Sequence, residues 1–274
     1  MSPSACRLLA LASAAVLAAA GSAIASGYSV FNQHPDPMRT ADGEWKVNDM
    51  SRPWPPPAAP KPWSELAEAA KPPSGATILF DGTSLDAWNV PHPWQMKEGV
   101  LQVLPVNLSL VSKESFGTCQ LHLEWRTPPQ PSQKSGQQRG NSGVFLMSNY
   151  EIQILDTHEN KTYPDGMAGA LYGIKPPDFN ALRPAGEWQA YDIIFKRPVF
   201  DESGKMISPA FVTVMVNGIV VQKNVPFSGP TSHKKRQPYK KHADALPLML
   251  QNHHDTVEFR NIWVRPLPDS DCPL

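Results

Sequence analysis

Residues 140–156 read Gly-Asn-Ser-Gly-Val-Phe-Leu-Met-Ser-Asn-Tyr-Glu-Ile-Gln-Ile-Leu-Asp and set acid–base side chains into a strand-like alternation. Val144, Phe145, Ile152 and Ile154 have the β-branched and aromatic character of a sheet, and the two-residue period projects Glu151 and Gln153 together from the opposite face. A carboxylate among packed apolar neighbours needs a partner, and Arg139, Arg260 or Lys175 could supply the charge. Strict alternation puts Asp156 on the other face; a β-bulge near Ile154 and Leu155 returns it to Glu151, and without one it is a turn-initiating aspartate at the strand end. Later in the chain Leu246, Leu248 and Leu250 alternate inward, leaving Gln251 and His253 on the polar side. Gln120, His122, Glu124 and Arg126 likewise oppose Leu121, Leu123 and Trp125, with His122 facing either a groove or solvent. If the register brings these segments together, they line one groove with carboxylates, amides and histidine.

The elements that must position these groups are strands. From residue 76 onward short alternating runs are separated by Gly, Pro, Asn and Asp, which is the signature of an all-β sandwich or barrel. Strands are expected over 76–80, 100–104, 109–112, 118–126, 142–148, 150–156, 188–196, 210–216, 219–224, 246–252 and 256–265. Asn217-Gly218 marks a hairpin turn, and 252–255 reverses the chain a second time. One short helix is expected over 63–70, with Ser64 as a cap.

Arg7 followed by the apolar, Ala-rich run 8–20 and the small residues Ala23-Ile24-Ala25 reads as a signal peptide over 1–25. Export to a periplasmic or secreted location follows, with no stable membrane insertion after cleavage. The 26–75 stretch is a proline-rich N-terminal arm, read as extended or disordered linker, as an arm packed through Trp45, Trp54 and Trp63, or as a proline-rich ligand for an aromatic-lined partner. Residues 76–268 are left as one β-domain. In an oxidising compartment Cys119 and Cys272 can pair or remain two free thiols. A net charge of zero argues against a nucleic-acid partner, and no oligomeric state is implied.

Phe80-Asp81-Gly82-Thr83-Ser84-Leu85-Asp86-Ala87-Trp88, Leu123-Glu124-Trp125-Arg126, Gly140 to Phe145, Tyr150 to Asp156, Gly186-Glu187-Trp188 and Phe259 to Val264 resemble, in order, the successive motifs of the bacterial 3-keto-disaccharide hydrolase domain family. The resemblance implies a concanavalin A-like jelly-roll β-sandwich with a concave face for a small carbohydrate substrate. It points to Glu151, Gln153 and Asp156 on one groove strand, Arg139 and Asn141 on the loop before it, and Gln251 and His253 near the last turn. The segments 134–139 and 232–242 are more basic than the family pattern.

On a 3-keto sugar, the ketone acidifies the C2 proton, so a base can form an enolate that expels the C1 substituent, and water then adds to the enone. Glu151, Asp156 or His253 could be the base, with Arg139, Lys175, Gln153 or a divalent cation holding the oxyanion. Direct hydrolysis by Glu151 and Asp156 is the second route, with retention at about 5 Å separation and inversion at roughly 6.5–9.5 Å. A cation would take Glu151, Asp156 and His253, although no zinc spacing is present. Tyr172 is the preferred sugar-stacking aromatic over Tyr163, Trp188 and Tyr239, whereas Trp125, Trp188 and Trp263 have core spacing. His92, His158, His233, His242 and His254 read as loop residues, and 233–236 as a solvated basic run. A lectin-like module that binds glycans without turnover is the non-enzymatic alternative.

Overall fold

The structure is a computed structural model and describes residues 34–90, 94–103, 108–129, 134–270 and 272. The signal segment and His92 lie outside the described residues. In chain order the strands are β1 (Thr77–Phe80), β2 (Trp88–Asn89), β3 (Trp94–Lys97), β4 (Val100–Val103), β5 (Leu110–Phe116), β6 (Cys119–Arg126), β7 (Ser142–Leu146) and β8 (Tyr150–Ile154). They continue as β9 (Gln189–Lys196), β10 (Val199–Phe200), β11 (Met206–Ser208), β12 (Phe211–Val216), β13 (Ile219–Pro226), β14 (Leu246–Leu250) and β15 (Glu258–Pro266).

One sheet runs β13-β12-β9-β6-β15-β4-β3, with β1 also on β15; the other runs β2-β5-β14-β7-β8, and β10 and β11 form a separate ribbon. The ladders joining these strands are antiparallel. Leu121, Leu123, Tyr191, Ile193 and Val214 from the larger sheet meet Val144, Ile152, Ile154, Leu248 and Leu250 from the smaller one in a continuous core. Each such side chain contributes about 1.5–3 kcal/mol by leaving water. Trp125 and Tyr191 pack edge-on at 5.3 Å, and the Tyr191 hydroxyl donates across the core to the Gln153 carbonyl at 2.7 Å. This is the all-β, concanavalin A-like jelly-roll sandwich that the alternation and the resemblance together imply.

Several expectations are corrected. Asn217 and Gly218, at φ +50 and +77, make the expected hairpin between β12 and β13. The 252–255 turn instead carries the chain from β14 in one sheet to β15 in the other. The short strands β2, β3, β10 and β11 lacked enough alternation to be read. The helix, α1, is a single turn (Trp63–Leu66) preceded by Pro62, so Ser64 is not its cap. Cys119 and Cys272 are both free thiols.

From His34 onward the arm is packed on the sandwich. The Trp54 indole donates to the Thr162 carbonyl at 3.0 Å, Ala58 N–H to Asn180 at 2.9 Å and Lys61 N–H to Asn217 at 3.0 Å. Near its end the Ala70 carbonyl accepts from Asn261 and from the Trp263 indole, each at 3.0 Å, beside the buried His122 and Glu124 on β6. His122 stacks on Trp263 at 5.4 Å and holds Asp192 through Nδ1 at 2.7 Å. Burial pushes the imidazole pKa down, but its bonds to Asp192 and Glu124 outweigh this and raise it to about 8. Burial likewise opposes the ionised Glu124 carboxyl, which bonds from His122, Asn261 and Arg260 nonetheless hold at about 2.

A histidine whose folded pKa exceeds its unfolded value of 6.5 stabilises fully below that value and loses the contribution as pH rises through about 8. The stability advantage of the wild type over His122→Asn, measured by urea unfolding, is therefore expected to shrink by on the order of 1–2 kcal/mol on going from acid to alkaline solution. A pH-independent difference would show that the imidazole is not charged in the fold.

Candidate functional site

β8 is the last strand of the smaller sheet, yet all five of its residues are buried. Tyr150, Ile152 and Ile154 face the core, and Glu151 and Gln153 face outward. Its open edge is covered by residues 169–172: Gln153 N–H donates to the Ala170 carbonyl at 3.0 Å, and Gly169 N–H to the Gln153 carbonyl at 3.0 Å. Farther along, Glu151 N–H donates to the Thr231 hydroxyl at 2.9 Å. The edge is thus closed against pairing with another chain while its outer face stays accessible.

On that face a cleft of about 280 Å³ is lined by the expected Asn141, Glu151, Gln153, Tyr172, Gln251 and His253, joined by Phe145, Thr231, Ser232 and His233. Glu151 is 4% exposed and forms no ion pair among the described residues, and burial raises its pKa to about 8. Room for the carboxylate comes from the neighbouring strand: a Cβ on Gly143 would lie 2.3 Å from Glu151 Oε1. With its amide nitrogen turned toward the carboxylate, Gln153 donates to Glu151 Oε1 at 3.1 Å and to the Ser142 carbonyl at 3.0 Å. In the opposite orientation that nitrogen meets Gln137 Oε1 at 3.2 Å and Asn141 Oδ1 at 3.3 Å, and the Gln153 oxygen can accept from a protonated Glu151. The amide can therefore serve either protonation state.

Tyr172 and His233 form the opposite wall. Tyr172 Oη lies 2.8 Å from Tyr163 Oη and 3.1 Å from His233 Nδ1. Burial raises both phenol pKa values, while burial and the nearby Lys234 and His253 lower that of His233. Asp255 accepts from Asn141 N–H at 3.1 Å and pairs with Lys134, tying the 140-loop to the turn that carries His253.

Four expected residues lie elsewhere. The β7–β8 ladder runs in register from Tyr150 to Ile154, and Asp156, two residues beyond its end, does not line the cleft. It instead accepts from His158 N–H at 3.1 Å and from Arg139, whose Nε is 3.0 Å away; each takes the other out of the cleft. Lys175 bonds Asp178 and, at 3.1 Å, Gln222. Glu124 belongs to the larger sheet, where it pairs with Arg260 at 2.6 Å. None of the three cations considered for Glu151 reaches it. Of the proposed cation ligands, Glu151 and His253 face the cleft and Asp156 does not, and the described residues contain no group of three His, Cys, Asp or Glu side chains arranged to hold a metal ion.

His233, Thr231 and Ser232 escaped sequence reading because they sit in a loop without periodicity. Trp125 and Trp263 are core, whereas Trp188 lies against the guanidinium groups of Arg260, at 4.1 Å, and Arg126, at 4.7 Å.

Residues 75–265 match the 3-keto-alpha-glucoside-1,2-lyase-like domain. The chain belongs to that family. It is 36% identical to a "putative glycosyl hydrolase" of Parabacteroides distasonis ATCC 8503, over 80% of this chain and 94% of that one, with a TM-score of 0.69. A second structure from that organism, described in the same words, is 19% identical over 74% of this chain and 97% of that one, with a TM-score of 0.52, and shares the fold. No curated protein matches the chain. Family and first relative place it with carbohydrate-active enzymes. No helix among the described residues is long and apolar enough to cross a membrane.

Gly143→Ala is expected to displace the Glu151 carboxylate rather than strain the backbone, since Gly143 is not among the positive-φ residues. The overpacking should cost about 1–3 kcal/mol in urea unfolding. An unchanged midpoint would mean that the carboxylate does not occupy this space.

Proposed function

We propose that this protein cleaves 3-keto-glycosides of disaccharide size by elimination followed by hydration, with Glu151 as the base. The observation that carries the reading is that Glu151 stands in the cleft with no ion pair among the described residues while the second carboxylate, Asp156, is drawn away by Arg139. Hydrolysis by a carboxylate pair needs two carboxyl groups about the scissile bond. Elimination needs one base and a donor for the enolate oxygen.

In this scheme the C2–H bond breaks, its proton passes to Glu151, and its electron pair forms the C2=C3 bond of the enolate as the carbonyl π pair moves onto the C3 oxygen. The enolate collapses, re-forming the C3 carbonyl and making the C1=C2 bond, while the C1–O bond breaks with its own electron pair staying on the aglycone oxygen, which takes up a proton from Glu151 or water. Water then adds across the resulting enone, the hydroxyl to C1 and a proton to C2. Gln153, Asn141 and Tyr172 are the neutral donors available to the ketone oxygen. A carboxylate titrating near pH 8 is a far stronger base than an exposed one, and only its ionised form acts, so the rate should rise with pH through about 8 and then level.

A lectin-like role uses the same amide- and phenol-lined cleft. Incubation of the protein with a 3-keto-disaccharide and its unoxidised counterpart separates the readings. Cleavage of the keto sugar alone is expected; cleavage of both would favour direct hydrolysis, and binding without cleavage the lectin role. Glu151→Gln should lower kcat by about 100- to 10,000-fold with binding retained. A loss of less than about tenfold would remove Glu151 as the base. We further propose that the chain is exported, on the strength of its N-terminal 25 residues; N-terminal sequencing of the protein recovered from the periplasm or medium should begin after Ala25.

A further inference from the structure

The arm before the matched domain contains a folded unit of its own. Residues 38–47 form a small hairpin in which Thr40 N–H donates to the Trp45 carbonyl at 2.9 Å, Val47 N–H donates to Met38 at 2.8 Å, and Arg39 bridges Lys46. Gly43 turns it at φ +77, and a Cβ there would lie 2.3 Å from the His34 ring. The hairpin touches both rims of the cleft.

On one rim Arg236, at the end of the loop carrying Thr231, Ser232 and His233, donates to the arm carbonyls of His34 at 2.6 Å, Asp36 at 3.0 Å and Arg39 at 2.7 Å. Its own N–H donates to the Pro37 carbonyl at 2.8 Å. The basic run is therefore tethered at Arg236 rather than solvated throughout. On the other rim Asn48 N–H donates to the Asp165 carboxylate at 2.9 Å, and the Asp165 carbonyl accepts from Gly173 N–H at 2.8 Å, next to Tyr172. Val47 closes this contact, its Cγ1 3.3 Å from where a Gly173 Cβ would lie. The two rims meet where Tyr172 reaches His233.

We infer that the 34–48 unit, which lies outside the matched residues 75–265, is a clip that sets the spacing of the cleft rims for a small glycoside, with Arg236 as its positioning residue. Four hydrogen bonds from one side chain and its backbone hold the histidine loop, and one carboxylate holds the tyrosine turn. Neither contact touches the reacting atoms. The inference about substrate fit rests on the proposed function; the mechanical role of the clip does not.

Hydrogen exchange and steady-state kinetics on full-length Arg236→Gln test it. Exchange at the Gly173 and Arg236 amides is expected to quicken by about tenfold. KM for the 3-keto-disaccharide should rise by about fivefold or more while kcat stays within about threefold, and Arg236→Lys should recover part of both changes. Faster exchange at Thr40 and Val47 with Gly173 exchange and KM unchanged would overturn the clip. Should Arg236→Gln fail to fold, Gly43→Ala disturbs the hairpin and the His34 ring packed on it while leaving Arg236 in place, and is read the same way. A wild type that turns over nothing contradicts the proposed function, and the Gly173 exchange still decides whether the two rims are coupled through the arm.

Discussion

Glu151 is buried on the outer face of an edge strand and pairs with no cation among the described residues. An ionised carboxyl in that position costs several kcal/mol, so the group is mostly protonated at neutral pH and the surrounding structure must accept either state. Several local features answer to this. Gly143 leaves space for the carboxylate, the Gln153 amide can face it in two orientations, and the 169–172 segment covers the strand edge that would otherwise admit water or another chain. The core behind β8, with the Tyr191 hydroxyl fixed to the Gln153 carbonyl, keeps the strand from shifting to relieve the cost.

The three cations considered as partners for Glu151 are engaged elsewhere. Arg139 is held by Asp156, Lys175 by Asp178 and Gln222, and Arg260 by Glu124 on the far sheet. The same chain thus contains two kinds of buried carboxyl. Glu124 is surrounded by donors and kept ionised, and one of those donors, Asn261, also reaches the Ala70 carbonyl of the arm. Glu151 has no ion-pair partner among the described residues and is kept basic by burial, which opposes stability and is the property a proton-abstracting group requires.

How much of this was legible in the sequence follows from the range of the interactions. The two-residue period placed Glu151 and Gln153 on one face, and Leu246, Leu248 and Leu250 against the core, because a strand's faces are local properties. It could not say to which sheet a strand belongs. Glu124 has the same alternation as Glu151 and lies on the opposite surface, since β6 pairs with β9 and β15 rather than with β7. Asp156 depended on the path of the chain beyond the end of the β7–β8 pairing. His233 and Arg236 read as a solvated basic loop because their partners, Tyr172 and the arm carbonyls, lie about 60 and 200 residues away in the chain.

Burial of Glu151 with no ion pair among the described residues is tested, without any substrate, by the pH dependence of its contribution to stability. An acid whose folded pKa is raised from 4.5 to about 8 destabilises the fold progressively as pH rises through that interval, whereas glutamine does not titrate. Urea unfolding of the wild type and Glu151→Gln between about pH 5 and 9 should show the variant gaining relative stability with pH, by on the order of several kcal/mol. A difference that stays flat, or that moves in favour of the wild type, would mean that Glu151 is solvated or paired and would contradict the account.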